Sequence, residues 1–127
     1  ASVVPVQPAR LLETRAAQPT GTIDGESSGI GRRPLDSITE LRIAGRGGVP
    51  VGVGSVVLNL TITEPARAGF VAVFACGAPR PNAASVNFLA GQTVANLVVA
   101  DVDAAGRVCL YTMTATHIVV DVTGYHP

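Results

Sequence analysis

Residues 25–29 (GESSG) match G-x-S-x-G, a pattern that presents a nucleophilic serine in many hydrolases. That chemistry requires a sharp turn from a buried strand into a helix, so that the serine hydroxyl stands above a parallel sheet. Residues 22–24 do not read as a buried strand, and the glycines at 29–31 disfavour a helix. The histidines, His117 and His126, have no nucleophile or orienting partner that the sequence identifies. We therefore predict that the chain is not an enzyme.

Acidic residues beside glycine resemble fragments of calcium loops at two places. Asp101 and Asp103 precede Gly106, and Asp24 and Glu26 lie in a glycine-rich segment. An EF-hand loop needs further oxygen ligands and a terminal glutamate, and neither place supplies them. We predict no metal site and no cofactor, and calcium binding by these acids stays open as an alternative.

Charged residues interrupt apolar runs near both ends of the chain. Arg10 and Arg15 flank a pair of leucines, and Asp121 lies within the run 118–122 (IVVDV). A carboxylate in such a run is either exposed or paired inside the protein, because an unpaired buried charge is costly. We predict that Arg15 pairs with Asp121 and so ties the first strand to the last.

Asparagine is disfavoured in strands, yet three asparagines lie in strand-like segments of this chain. They either hold loop backbone in a structural network or offer amide groups to the hydroxyls of a ligand. The chain has no tryptophan, so only Tyr111 and Tyr125 are candidates for stacking against a sugar ring. The candidate ligand contacts are Arg46, Asn59, Asn87, Asn96 and Tyr125.

Composition excludes several classes of partner. The 127 residues are 47% hydrophobic and 14% charged, against roughly 25% charged in an average domain. Nine arginines balance nine acids, and there is no lysine. Such a neutral chain does not suit nucleic acid or anionic membrane surfaces. No apolar stretch approaches the roughly 18 residues of a transmembrane helix, so we predict no membrane insertion.

The hydrophobic pattern indicates strands and turns throughout one domain, residues 1–127. Residues 56–63 alternate with period two, and turn signals recur along the chain. The spacing favours a sandwich or barrel. The only helix candidate is the short segment 34–41, and residues 103–106 suggest a hairpin turn.

Four segments resemble, in order, a repeated module of secreted and surface proteins of actinobacteria and related bacteria. They are residues 8–15 (PARLLETR), 57–63 (VLNLTIT), 91–99 (GQTVANLVV) and 117–125 (HIVVDVTGY). The family pattern reads roughly P-x-R-L-L-D-T-R, V-x-L-N-x-T, A-N-x-V and V-D-V-x-G-Y, and Glu13 departs from it. The resemblance implies an extracellular β module appended to another protein, with a poorly defined role.

Two cysteines, Cys76 and Cys109, lie in strand-like contexts of this β-rich chain. The resembling family often carries a pair at these places, which implies a disulfide; the alternative is two buried thiols in a cytosolic protein. A disulfide would place the protein in an oxidising compartment, secreted or at the cell surface. We therefore predict an all-β, antiparallel two-sheet sandwich of jelly-roll type with the disulfide Cys76–Cys109.

Two functions follow as expectations. The first is a non-catalytic extracellular accessory module that binds cell-wall or environmental polysaccharide. The alternative is a structural module for self-association, or a spacer in a surface or fibrous assembly, which would form a homo-oligomer. Low charge and a mean hydropathy of +0.40 favour the alternative, because they suggest apolar surface left for a partner chain.

Overall fold

The computed structural model describes residues 2–16 and 21–127, and these residues form eight β-strands without any helix. The strands are β1 (Val4–Glu13), β2 (Ser37–Arg42), β3 (Ser55–Thr63), β4 (Gly69–Ala75), β5 (Val86–Phe88), β6 (Val94–Asp101), β7 (Arg107–Thr112) and β8 (His117–His126). Within this part of the chain, no helical segment has the length and apolarity needed to span a membrane.

The strands form two four-stranded antiparallel sheets. Sheet 1 has the order β1-β8-β3-β6, and sheet 2 has the order β2-β7-β4-β5. Successive strands change sheet at every connection except the one between β4 and β5. This is the strand order of a jelly roll, so the predicted fold is confirmed.

The core lies between the sheets and follows the period-two pattern of the sequence. On β3, Val56, Leu58, Leu60 and Ile62 are fully buried, and the residues between them lie on the outer face of sheet 1. Sheet 2 contributes the buried side chains Leu41, Val71, Val73, Val108 and Leu110 from its inner face. Two apolar faces packed in this way give the domain one continuous core.

Two local expectations were wrong. The helix candidate at 34–41 contains most of strand β2, in which Thr39 and Leu41 point inward and Ile38 and Glu40 point outward. The turn at 103–106 exists, since the Gly106 amide donates to the Asp103 carbonyl at 2.9 Å, but it does not form a hairpin. It connects β6 in sheet 1 to β7 in sheet 2, because the core needs strands on both sides.

The polar segment after the undescribed residues 17–20 runs along the free edge of β1. The amide of Ile23 donates to the Arg10 carbonyl at 2.8 Å, and the amide of Gly29 donates to the Glu13 carbonyl at 2.7 Å. The amide of Gly31 continues the contact on the Thr14 carbonyl. These bonds satisfy backbone groups of an edge strand that would otherwise be free to pair with another chain.

Candidate functional site

Two aromatic side chains lie next to each other on the outer face of sheet 2. Phe70 on β4 and Tyr111 on β7 have ring centroids 5.8 Å apart at an interplanar angle of 44°. Both rings are half-buried, while the flanking Val71 and Leu110 point into the core. Alternation along the strands thus places both rings on the surface, where part of each stays accessible.

Charged groups fix Tyr111 from two sides. The guanidinium of Arg80 lies 3.9 Å from the centroid of the Tyr111 ring, which is a cation–π contact. The Tyr111 hydroxyl donates a 2.6 Å hydrogen bond to Asp36 Oδ1. A tyrosine held at both its ring and its hydroxyl loses little further conformational entropy when a ligand binds.

Asn87 and Ile38 complete this surface on the flanking strands. Asn87 lies opposite Phe70 in the β4·β5 ladder, and Ile38 lies opposite Tyr111 in the β2·β7 ladder. Both side chains are exposed. We name this surface the aromatic face; it consists of Asp36, Ile38, Phe70, Arg80, Asn87 and Tyr111.

The predicted disulfide is confirmed and lies beside the aromatic face. Cys76, directly after β4, is bonded to Cys109 on β7, with their Cα atoms 4.9 Å apart. The bridge packs with Phe74 in a small buried cluster, and Tyr111 packs against that cluster. The covalent link therefore holds β4 and β7 together next to the strand positions that carry the two rings.

The aromatic face combines ring surface with hydrogen-bonding groups of several kinds. Phe70 offers apolar ring area, Tyr111 adds the part of its ring that Arg80 does not cover, Asn87 offers an amide donor and acceptor, and Arg80 offers guanidinium donors. The C–H faces of a sugar ring can lie against aromatic rings while its hydroxyls bond to flanking polar groups. A surface of this composition can contact a ligand through both apolar and hydrogen-bonding groups.

The signal for this face was present in the sequence but was assigned to the core. Residues 70–74 (FVAVF) are an apolar run, and all of its phenylalanines were expected inside. Period two places Phe70 and Phe74 on the face opposite Val71 and Val73, and that face is the outer one. The strand pattern could not assign Asp36 and Arg80 to this surface, because both residues lie outside the strands.

Arg46 was predicted to contact a ligand, and the structure corrects this. Its side chain is fully buried, with Nε 2.8 Å from Asp24 Oδ2 and Nη2 2.9 Å from Asp24 Oδ1. It also donates to the carbonyls of Leu11, Glu26 and Arg42. The hydrogen bonds from Arg46 to the Asp24 carboxylate hold the pKa of Asp24 well below its ordinary value. Arg46 is a structural residue that joins β1 to two loops.

The other predicted ligand residues are dispersed over the domain. Asn59 lies on the outer face of sheet 1, opposite Asp121 and Leu97. Asn96 on β6 donates to the carbonyl of Ser85, the residue before β5, at 2.7 Å. Tyr125 packs against the core from the end of β8. Of the five predicted contacts, only Asn87 belongs to the aromatic face.

The predicted pair of Arg15 and Asp121 is wrong in its cation. Arg10 lies opposite Asp121 in the β1·β8 ladder, and its Nε is 2.9 Å from Asp121 Oδ1. Arg15 follows the end of β1 and instead binds Glu13, with Nη2 2.9 Å from Oε1. Strand register decides the partner, since Arg10 and Asp121 share a cross-strand position.

Glu13 is a buried carboxylate at the end of β1. Arg10 Nη1 lies 3.2 Å from its Oε1, and Arg15 also binds it through the Nε and backbone amide groups. Burial raises the pKa of Glu13, but the hydrogen bonds from Arg15 outweigh burial and leave the pKa below its ordinary value. Glu13, the residue at which the chain departs from the resembling pattern, thus has both carboxylate oxygens hydrogen-bonded.

Each histidine is hydrogen-bonded to a hydroxyl that the sequence did not identify. His117 Nδ1 lies 2.9 Å from Thr14 Oγ1, and His126 Nδ1 lies 2.7 Å from Ser55 Oγ. Burial, with a smaller contribution from Arg32, lowers the pKa of His117. Both contacts join neighbouring chain segments of sheet 1, away from the aromatic face.

Comparison with known proteins returned no match among protein-family models, curated proteins or solved structures.

Proposed function

We propose that this domain is a non-catalytic extracellular accessory module that attaches its parent protein to a cell-wall or environmental polysaccharide through the aromatic face. The observation that carries the proposal is the pair of half-buried rings, Phe70 and Tyr111, on the outer face of sheet 2. A soluble domain gains nothing in stability by leaving ring area in contact with water. Rings fixed in place on a sheet surface therefore support a binding role.

The polar groups around the rings support a carbohydrate rather than an apolar ligand. Asn87, Arg80 and Asp36 border the two rings and supply both donors and acceptors. Sugar hydroxyls are themselves donors and acceptors, so they match such a border. A purely apolar ligand would offer no hydrogen-bond partner to the exposed Asn87 amide.

The extracellular placement is supported by the disulfide Cys76–Cys109, since disulfides persist mainly in oxidising compartments. It agrees with the resemblance to secreted and surface modules of actinobacteria. We propose that the domain belongs to that family.

The test is a pull-down of the purified domain on insoluble cell walls and a panel of polysaccharides. We expect saturable binding that a soluble fragment of the same glycan competes away. Tyr111→Ala should weaken this binding at least about tenfold, whereas Tyr111→Phe should retain most of it because the ring remains.

A matched pair of variants locates the site. Asn87→Ala removes an amide from the aromatic face, and we expect it to weaken binding about fivefold, the worth of one hydrogen bond. Asn59→Ala removes the same group from the outer face of sheet 1 and should leave binding unchanged. The proposal would be overturned if no polysaccharide showed saturable binding, or if Tyr111→Ala left the binding unchanged.

A second candidate is a structural module that self-associates or acts as a spacer in a surface or fibrous assembly. One observation favours it specifically. Leu97 and Val99 on β6 are 64% and 61% exposed on the outer face of sheet 1. This apolar surface lies on the sheet opposite the aromatic face, so the two candidate functions use different surfaces.

A further inference from the structure

Strand β6 is an edge strand with backbone groups directed away from the domain. The amide of Val102 donates to the Gly54 carbonyl, which fixes the phase of the β3·β6 ladder. Antiparallel ladders alternate, so Val98 and Ala100 bond to β3, whereas Leu97 and Val99 direct their N–H and C=O groups outward. Ala95 shares this outward phase. Within the described residues, these outward groups have no backbone partner.

The other sheet edges carry features that hinder pairing with another chain. The segment 23–31 covers β1, and β5 is only three residues long. Strand β2 presents the exposed charges of Glu40 and Arg42. By contrast, β6 is eight residues long and carries no charge from Val94 to Ala100. Short, covered or charged edges resist edge-to-edge pairing, and the stretch Val94 to Ala100 of β6 is neither charged nor paired with a covering segment among the described residues.

We propose that β6 pairs with β6 of a second copy of this chain, antiparallel about a two-fold axis at Leu97. In that register Leu97 faces its own copy, and Ala95 faces Val99 of the second copy. The outward backbone groups of all three residues then meet in hydrogen-bonded pairs. The two copies of sheet 1 become one continuous eight-stranded sheet, formed from two four-stranded sheets.

The sequence of β6 is compatible with pairing to a second copy about this axis. On a two-fold axis a residue meets itself, so a charge at position 97 would repel its own copy, and the position is leucine. The small Ala95 faces the larger Val99 on both sides of the axis. The chain has zero net charge, so long-range repulsion between two copies is weak.

Pairing through β6 supplies a surface and a register for the self-association candidate, and it does not depend on polysaccharide binding. The aromatic face belongs to sheet 2, whereas β6 belongs to sheet 1. Loss of one property should therefore leave the other in place.

The test measures the solution mass of the domain by light scattering or sedimentation over a range of concentrations. We expect a dimer, which Leu97→Lys weakens at least about tenfold, equivalent to about 1.4 kcal/mol. Leu97→Pro removes an outward N–H, which edge strands tolerate, and should also give a folded monomer. The matched control is Leu35→Lys beside β2, since Leu35 is 68% exposed and Leu97 is 64% exposed.

Each outcome decides the proposal. A dimer that both Leu97 variants dissociate and Leu35→Lys preserves supports it. A monomer at every concentration, or an oligomer that survives both Leu97 variants, overturns it. Polysaccharide binding is measured on the Leu97→Lys monomer in parallel, so that failure of the dimer and failure of the glycan proposal are distinguished.

Discussion

Arg10 lies directly opposite Asp121 across the ladder of the first and last strands, and Arg10 Nε donates to Asp121 Oδ1 at 2.9 Å. The same guanidinium reaches Glu13 through Nη1 at 3.2 Å. Arg10 therefore joins β1 to β8 and also helps to neutralise a buried carboxylate. The first and last strands are therefore linked by a single arginine that contacts two acidic side chains.

A double-mutant cycle on Arg10 and Asp121 should show a favourable coupling free energy of about 0.5–1 kcal/mol. The value is modest because the two side chains are 30% and 22% exposed, so water screens the pair. Urea unfolding of the wild type, the single alanine variants and the double variant measures it. The same cycle on Arg15 and Asp121 is the control and should give coupling within about 0.3 kcal/mol of zero. Equal coupling in both cycles would contradict the assignment.

Arg46→Met should lower the free energy of unfolding by about 3 kcal/mol, since it leaves buried carbonyl groups without their donor. Arg46→Lys should not restore it, because one ammonium cannot replace the planar fork of donors. Denaturant unfolding measures both variants, and limited proteolysis tests whether residues 21–34 become susceptible to cleavage.

Arg42→Ala is the control for Arg46, since the Arg42 side chain is 47% exposed and pairs with an exposed Glu26. We expect it to cost less than about 1 kcal/mol. If Arg42→Ala and Arg46→Met were equally destabilising, the central structural role of Arg46 would be wrong.

The fold class could be predicted from the sequence because the alternation of apolar and polar residues along a strand is a local signal. Burial alternates from Leu58 to Ile62 as the spacing predicts, and the two sheets have the strand order of a jelly roll. The turn at Asp103 was also identified, but whether it closes a hairpin depends on which sheet receives the next strand. That choice is set by packing of the whole core, which no local pattern encodes.

Partners of charged residues were harder to predict, because they depend on register. Arg10 and Arg15 are chemically alike in the sequence, and only the β1·β8 register assigns Asp121 to Arg10. Arg46 gave no sign of burial, since it lies in a glycine-rich segment typical of exposed loops. Its burial arises from the return of residues 23–31 along β1, a long-range contact.

Stability should decrease as the pH falls below 6.5, in part because of His117. Burial lowers the pKa of His117 from its ordinary value of 6.5, so the unfolded chain takes up a proton at higher pH than the folded domain. The contribution of His117 is therefore full above pH 6.5 and is lost as the pH falls through the folded pKa. Thermal unfolding between pH 7.5 and pH 5, a range of about 2.5 units that includes the ordinary histidine pKa of 6.5, measures the effect.

His117→Gln should flatten that part of the pH profile, because the glutamine amide can still accept from Thr14 but does not titrate. Arg15, Arg32, Glu13 and Glu64 are the charged groups that act on His117, and the variant leaves all of them in place. The control is His126→Gln, which keeps the Thr14–His117 contact. A profile that stays equally steep in His117→Gln would show that another group is responsible.

Replacing both Cys76 and Cys109 by alanine should lower the free energy of unfolding by about 3–4 kcal/mol, because the bridge closes a loop with a sequence separation of 33 residues. Polysaccharide binding should persist under conditions in which this variant stays folded, since Tyr111 keeps its contacts with Arg80 and Asp36. Denaturant unfolding with and without reductant measures stability, and reduced wild type should match the double variant. A loss of binding in the folded variant would show that the disulfide itself positions the aromatic face.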